Sequence, residues 1–204
     1  NKFIIPSVKE EDKERTNFYK QESKRITLKK GTNNIDKFLK SLKLTMKVKK
    51  LTKDNSDRAF DLINKTNQFN LTTKRYEKSN FNKILKSNLA YSYSLTDNFS
   101  NYGEIGVLVG LIKKKTCIID NWVLSCRAMS RTVEFAMFEN FVKNLKKNKF
   151  NKIECEIKKT KKNTEIHSLL EKFNFKILKE TKEIKKYSIE ISNIKLLNKF
   201  VKII

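Results

Sequence analysis

The sequence is short of the residues that most often build catalytic and metal centres. Its 204 residues hold one histidine, His167, and three cysteines, Cys117, Cys126 and Cys155. Their number is odd and no C-x-x-C pair occurs, so neither a disulfide framework nor a zinc site is expected, and a reducing cytoplasm fits. Asp54, Asp57 and Asp61 lack the central glycine and closing glutamate of a calcium loop, and helix capping accounts for them. No metal site is expected. The longest apolar run, Ile105 to Ile112, has eight residues, far below the ~20 of a membrane span. With no secretory signal either, no membrane partner is expected.

Arginine is scarce as well. Only six of the 46 basic residues are Arg, and the chain carries 22 Asn. Excess Lys, Asn and Ile together read as the nucleotide bias of an AT-rich genome rather than selection for a basic groove. No zinc finger or aromatic-bearing RNA-binding strand is visible, so no nucleic-acid partner is expected. The net charge of +24 would nonetheless draw acidic partners and phosphorylated substrates.

A chain of this length buries one core, or one core plus an appendage. Lys9 to Lys24 reads as a helix or helical linker. Leu44 to Leu51 alternates Met46 and Val48 with lysines, as a half-buried strand does, and Ser56 to Thr66 reads as a helix. A short helical piece at Phe81 to Leu85 precedes three strands, Leu89–Leu95, Glu104–Ile112 and Thr116–Leu124, in an expected antiparallel meander. The long helix spans Arg131 to Lys147, with Val133, Met137, Phe138, Phe141, Val142 and Leu145 on one stripe. A strand at Ile153–Ile157, a helix at Asn163–Phe173 and strands at Ile177 and Tyr187–Ile191 follow. Leu197, Phe200, Val201 and Ile204 fit one helical face, although ten residues leave that segment ambiguous. The class is α/β.

One stretch is richer than the rest. Ile118 to Glu134 reads IIDNWVLSCRAMSRTVE: a buried strand that stops at Ser125-Cys126-Arg127, followed by an amphipathic helix. A strand running into a helix start leaves N–H groups pointing outward, which suits phosphate or thiolate.

The layout resembles the R-x-x-G-x-G/A pyrophosphate turn of GNAT acyltransferases. The wording, DxWxxSCRxxxRxVE, resembles the C-terminal domain of FkbH-like proteins, which join a HAD-type phosphatase domain to a GNAT-like domain and load glyceryl groups onto acyl carrier proteins. Thr66 to Tyr76, TNQFNLTTKRY, resembles that family's TNQFNLTT segment. Asp97-Asn98-Phe99 with Gly103 to Val107 is similar to its DxFGDxGxxG turn, and Asn163 through Phe175 to the closing helix of a GNAT unit. The resemblance covers roughly Glu11 to Phe175.

It implies a GNAT-like mixed, largely antiparallel sheet with helices on both faces, splayed beyond the fourth strand to admit pantetheine. It also implies a domain plan: residues 1–43 a helical linker after an absent HAD-type domain, 44–192 the GNAT-like domain, and 193–204 a tail of uncertain structure. The chain begins at Asn1 rather than Met, as a segment of a longer polypeptide would. No D-x-D-x-T motif occurs, so the phosphatase nucleophile is not here. The partners implied are an acidic acyl carrier protein and the HAD-type domain of the same parent. The cofactor implied is the phosphopantetheine of a carrier, or coenzyme A.

Cys126 is the candidate catalytic nucleophile, accepting an acyl group as a thioester and passing it to a pantetheine thiol. Its placement before the helix and beside Arg127 would favour thiolate; the same position suits a small buried cysteine behind the turn. Cys117 and Cys155 lie in apolar strand runs and are expected in the core. Arg127, Ser130, Arg131, Thr132 and Asn163 are the candidate cofactor contacts, the arginines as phosphate forks. An ion pair of the arginines with Glu134 or Glu104 is the alternative. Asn67, Gln68, Phe69, Asn70, Thr72 and Thr73 are the candidate substrate lining; the alternative is a structural loop capping its neighbours. Asp120 and Glu104 could orient a substrate. His167, beside Ile166 and three residues before Leu170, falls on a polar flank.

The sequence departs from the pattern in four places. Ser130 and Thr132 stand where the turn has glycines, Leu170 where a GNAT general-acid tyrosine falls, and Asn174 where the family has the glycine of a GF pair. A β-branched Thr keeps backbone away from a diphosphate where glycine admits it. These changes favour a second reading, a non-catalytic module docking the carrier or the HAD-type domain, and weigh against a third, a coenzyme A-dependent N-acetyltransferase.

Overall fold

The computed structural model describes residues 10–32, 34–160 and 164–204. Helices α1 (Glu10–Lys30) and α2 (Ile35–Ser41) lead into strand β1 (Thr45–Lys50). Helix α3 (Asp57–Lys65), a two-residue strand β2 (Phe69–Asn70) and helix α4 (Lys78–Ser87) come next. The meander β3 (Leu89–Thr96), β4 (Asn101–Lys113) and β5 (Thr116–Leu124) runs into helix α5 (Val133–Lys147). The chain closes with β6 (Lys152–Lys158), α6 (Thr164–Lys172), β7 (Lys176–Glu180), β8 (Ile184–Glu190) and β9 (Lys202–Ile203).

Among the described residues nine strands join one sheet in the order β7-β8-β6-β5-β4-β3-β1-β9, with β2 attached to β5. The β5–β6 and β1–β9 pairs are parallel and the remaining pairs antiparallel. The period-2 alternation of β3 sorts its side chains between two cores. Leu89, Tyr91, Tyr93 and Leu95 face the larger core with α2, α5 and α6, whereas Ala90 faces a smaller one under α3 and α4. This is the α/β, largely antiparallel sheet with helices on both faces that the sequence predicts.

The expected stripe of α5 is buried throughout: Val133, Met137, Phe138, Phe141, Val142 and Leu145 are each 0 % exposed. Gly110 on β4 lets this helix close on the sheet, because a Cβ there would stand 2.7 Å from Cζ of Phe141 and 2.6 Å from Sγ of Cys117. Cys117 and Cys155 are buried, as expected of apolar-strand cysteines.

One expectation is corrected, one ambiguous segment is resolved and one strand is new. The helix expected from Arg131 begins at Val133, because Ser130 and Thr132 both adopt left-handed backbone, at φ 62° and 57°. The C-terminal segment is not helical. Its last residues run extended along β1, with Lys202 N–H donating to Leu44 O and Ile204 N–H to Met46 O, each at 2.9 Å. The physical reason is the open outer edge of β1, whose unpaired groups take a strand partner. Finally, β2 carries no periodic signal and was not anticipated.

Candidate functional site

Strand β5 carries the site, and its two hydrogen-bonding edges are used differently. β4 holds one edge along its whole length, from Lys113↔Thr116 to Gly106↔Leu124. On the other edge β6 pairs only with Thr116 to Ile119, and the two strands then part. The sheet opens where a splay was expected. The upper half of that freed edge is taken by β2, with Phe69 opposite Leu124 and Asn70 opposite Val123. Leu71 N–H donates to Trp122 O at 3.0 Å, and Thr72 Oγ1 donates to Asp120 O at 2.9 Å.

The 66–76 segment is fastened by its own polar groups. Asn70, fully buried, donates from Nδ2 to Thr66 O at 3.1 Å and accepts Thr73 N–H on Oδ1 at 2.9 Å. Asn67 accepts from Arg75, which also donates to Thr66 O. Phe69 lies edge-on to Trp122 with ring centroids 5.6 Å apart. Asp120 completes the fastening: Tyr76 Oη donates to it at 2.7 Å and Lys74 pairs with it. Burial first, then the Asp120 charge, holds the Tyr76 phenol well above its ordinary pKa. Of the six candidate lining residues, Phe69, Asn70, Thr72 and Thr73 therefore contact β5 or brace the loop, while Asn67 and Gln68 are exposed.

Beyond β5, Cys126 to Ala128 form a single 3-10 turn. Cys126 is exposed, and it precedes the first residue of α5 by seven positions, so the helix charge, which falls off within a turn, is not adjacent in sequence. Ser130 and Thr132 keep the left-handed backbone that the glycines of the resembling turn would adopt freely; so does Asn174, at φ 71°. Thr132 sits at the helix N-cap without capping it, and its Oγ1 is buried without a hydrogen-bond partner.

Arg131 is turned inward. Its Nε donates to Tyr102 Oη at 3.0 Å, Nη1 to Met129 O at 2.9 Å and Nη2 to Glu22 at 2.6 Å. The partner is thus Glu22 of α1, not Glu134 or Glu104; Glu104 pairs with Lys49 at 3.3 Å. Glu22 also accepts from Arg25, whose guanidinium is 2 % exposed and doubly bonded to Asp97, at 2.7 and 2.9 Å. Asp97 accepts the Phe99 and Ser100 backbone N–H groups and Tyr102 Oη as well. Burial alone would raise the Asp97 pKa, but Arg25, Tyr102 and the two backbone donors outweigh it and hold the carboxyl below the usual range. Glu22, Arg25 and Tyr102 were not singled out in the sequence, since nothing local marks a pair separated by 109 residues. Asp97 did stand in a quoted motif.

At the mouth of the splay lies a cleft of about 170 Å³ lined by Phe69, Leu124, Met129, Ser130, Glu134, Ser168, Leu169 and Lys172. Leu170, at the tyrosine position, is fully buried and offers no titratable group. Asn163 lies outside the described residues. Among the described residues no cluster of His, Cys, Asp and Glu fits a metal ion, and no helix is long and apolar enough to cross a membrane.

The fold that carries this site is that of the GNAT acetyltransferases. The chain is similar to the ribosomal-protein-S18-alanine N-acetyltransferase of Escherichia coli at 13% identity and a TM-score of 0.57, over 72% of this chain and 94% of that one. PaiA N-acetyltransferase of Thermoplasma acidophilum, solved in complex with coenzyme A, matches at 11% identity and 0.57, over 71% and 98%. IAA acetyltransferase of Bacillus cereus matches at 14% identity and 0.53, over 71% and 99%. No protein-family model and no curated protein sequence matches the chain.

Proposed function

We propose that the chain is an acyltransferase-fold domain that handles an acyl group borne on a pantetheine thiol. The observation that carries this reading is the seam between β5 and β6, paired only to Ile119 and parted beyond it, where β2 covers the β5 edge and the β6 edge from Glu156 faces the gap, with the 125–132 turn at its mouth. A strand edge left beside such a gap, here that of β6 beyond Cys155, presents backbone partners to an extended, amide-bearing arm.

Two finer readings divide on the carrier. Coenzyme A-dependent N-acetyl transfer is supported by fold neighbours that are acetyltransferases, two of them solved with coenzyme A. Transfer of a glyceryl-type group to an acidic acyl carrier protein, beside a HAD-type domain of the same parent, is supported by the FkbH-like wording of Thr66–Thr73 and Ser125–Arg127. In that reading the Cys126 thiolate attacks the carbonyl carbon of an acyl phosphate, an S–C bond forms and phosphate leaves. The pantetheine thiolate of the carrier then attacks the thioester, and Cys126 departs as thiolate. The exposure of Cys126 supports this role. Ser130 and Thr132 at glycine positions, the inward Arg131 and the apolar Leu170 all weigh against diphosphate binding and acid catalysis of the usual kind.

Intact-mass spectrometry tests the readings together. The protein is incubated with acetyl-coenzyme A plus an amine acceptor, or with acyl phosphates plus a phosphopantetheinylated carrier protein. A Cys126-linked adduct that passes to the carrier supports glyceryl-type transfer, and acetylated amine supports the coenzyme A reading. Neither product, with the carrier still bound, leaves a docking module.

A further inference from the structure

We propose that the phosphate of the pantetheine arm is bound by Lys172, Lys195 and Lys199, in a second cleft beside the splay, and not by the turn before α5. This rests on the reading that the domain takes a pantetheine-borne group, and it assigns the anchoring contact within that reading. A cleft of about 480 Å³ lies between the start of α5, the end of α6 and the C-terminal segment. Its walls include Phe135, Leu197 and Phe200, and Lys172, Lys195 and Lys199 reach it from two separate elements.

The two clefts share a wall at Lys172, which lines this one and the smaller one at the mouth of the β5–β6 seam, and the adjacent residues Glu134 and Phe135 face one cleft each. An arm whose phosphate sits on the three ammonium groups can therefore pass Lys172 toward Ser130 and Ser168. The smaller cleft, about 170 Å³, falls short of the ~300 Å³ at which ligand sites begin, whereas the larger, about 480 Å³, does not.

The cations are available. Among the described residues none of the three lysines has an ion-pair partner, whereas Lys152, Lys159, Lys185 and Lys186 elsewhere on the β6–β8 side are all paired. Asp36 and Glu171 also line the cleft, but Glu171 is engaged by Lys185 at 3.5 Å, and Asp36 lies in the first turn of α2, where a carboxylate complements the helix. Arg131, the fork that a GNAT-like turn would turn to phosphate, is committed to Glu22, Tyr102 and Met129. Lysine suits this task, as a point charge that meets phosphate without demanding bidentate geometry.

The test compares phosphopantetheine with pantetheine, by calorimetry or NMR titration at low salt, on the intact protein. The phosphorylated form should bind at least tenfold more tightly, and K172Q/K199Q should abolish that difference. A control, K113Q/K114Q/K115Q on the β4–β5 hairpin, should retain it. A full phosphate preference surviving in K172Q/K195Q/K199Q overturns the site but leaves the pantetheine reading intact. Absence of binding by either probe overturns both. Coenzyme A and a phosphopantetheinylated carrier protein, tested in parallel, distinguish the two sources of the phosphate: weakening of both by K172Q/K199Q identifies a shared anchor, and weakening of one names its carrier.

Discussion

The carboxylate of Glu22 and the guanidinium of Arg131 meet at 2.6 Å, and this contact ties the first helix to the turn that opens α5. Arg131 is 9 % exposed and Glu22 33 % at the side chain, so the pair is half-buried and only partly screened. Arg25, one turn on from Glu22, binds the same carboxylate and reaches Asp97, and the ring of Tyr102 lies beneath both guanidinium groups at 4.8 and 5.2 Å. Among the described side chains of α1, Arg25 is buried and Leu28 packs against the core, so this polar cluster is a main tie between the helix and the sheet. E22Q should lower stability by about 1 kcal/mol, the usual cost of one charge-assisted contact at a partly exposed site. Limited trypsin digestion should then cut within residues 10–30 faster than in the native protein. Unchanged cleavage would show that α1 is held by something else.

Asp97 provides the pH dependence. Its side chain is fully buried, and its pKa is depressed in the fold by Arg25, Tyr102 and two backbone donors despite burial. A depressed carboxylate contributes stability that is present above its unfolded value, about 4, and lost as pH falls through the lower folded value. D97N should therefore destabilise at neutral pH, by about 3 kcal/mol if Arg25 is left with an unpaired charge, and should flatten the acid limb of the stability curve. An acid limb identical in slope would assign acid unfolding to other carboxylates.

Thr132 holds a left-handed backbone that a β-branched residue adopts at a cost. T132G removes that strain but raises the entropy of the unfolded chain, so a gain of up to ~1 kcal/mol is expected. Chemical denaturation should show a raised midpoint at constant slope. A lower midpoint would mean that the Thr132 side chain contributes more than its backbone costs.

Much of this architecture was legible because it repeats. The α5 stripe and the alternation in β3 extend over enough residues for their periods to show, and each is a local consequence of packing against one sheet. β2 spans two residues, below any period, and exists because the upper edge of β5 would otherwise be unpaired. The C-terminal segment follows the same logic on β1, and its apolar spacing alone left helix and strand undecided. The turn before α5 was legible in outline: the backbone at Ser130 and Thr132 is the one glycines would supply, though the residues had changed. The inward direction of Arg131 was not, since it is fixed by a carboxylate far away in sequence.

The β2 attachment is itself testable. Asn70 Nδ2 and Oδ1 span Thr66 O and Thr73 N–H inside the fold, so N70A takes the side-chain acceptor from the Thr73 N–H and leaves Thr66 O to Arg75 alone. A loss of about 2 kcal/mol is expected. Hydrogen exchange at Leu71, whose amide is bonded to Trp122 O, should rise more than exchange along the β3–β4 pair. Equal acceleration everywhere would mean that β2 opens only with global unfolding.

The three cysteines separate cleanly by environment. Burial pushes the Cys117 thiol up to about 12 and raises Cys155 as well, and both are enclosed in the core. Cys126 is exposed on the turn beyond β5. Thiol reactivity follows thiolate fraction and access, so iodoacetamide at neutral pH should alkylate Cys126 in the native protein while the other two react only after unfolding. Peptide mapping by mass spectrometry reads this directly, and C126A should leave a native protein that takes up no label. If Cys126 also carries an acyl group, prior alkylation should block adduct formation and transfer to the carrier, while carrier binding, resting on lysines, should persist and weaken with salt. Transfer that continues after complete alkylation of Cys126 would remove the thioester and leave the splay to act on the carrier thiol without it.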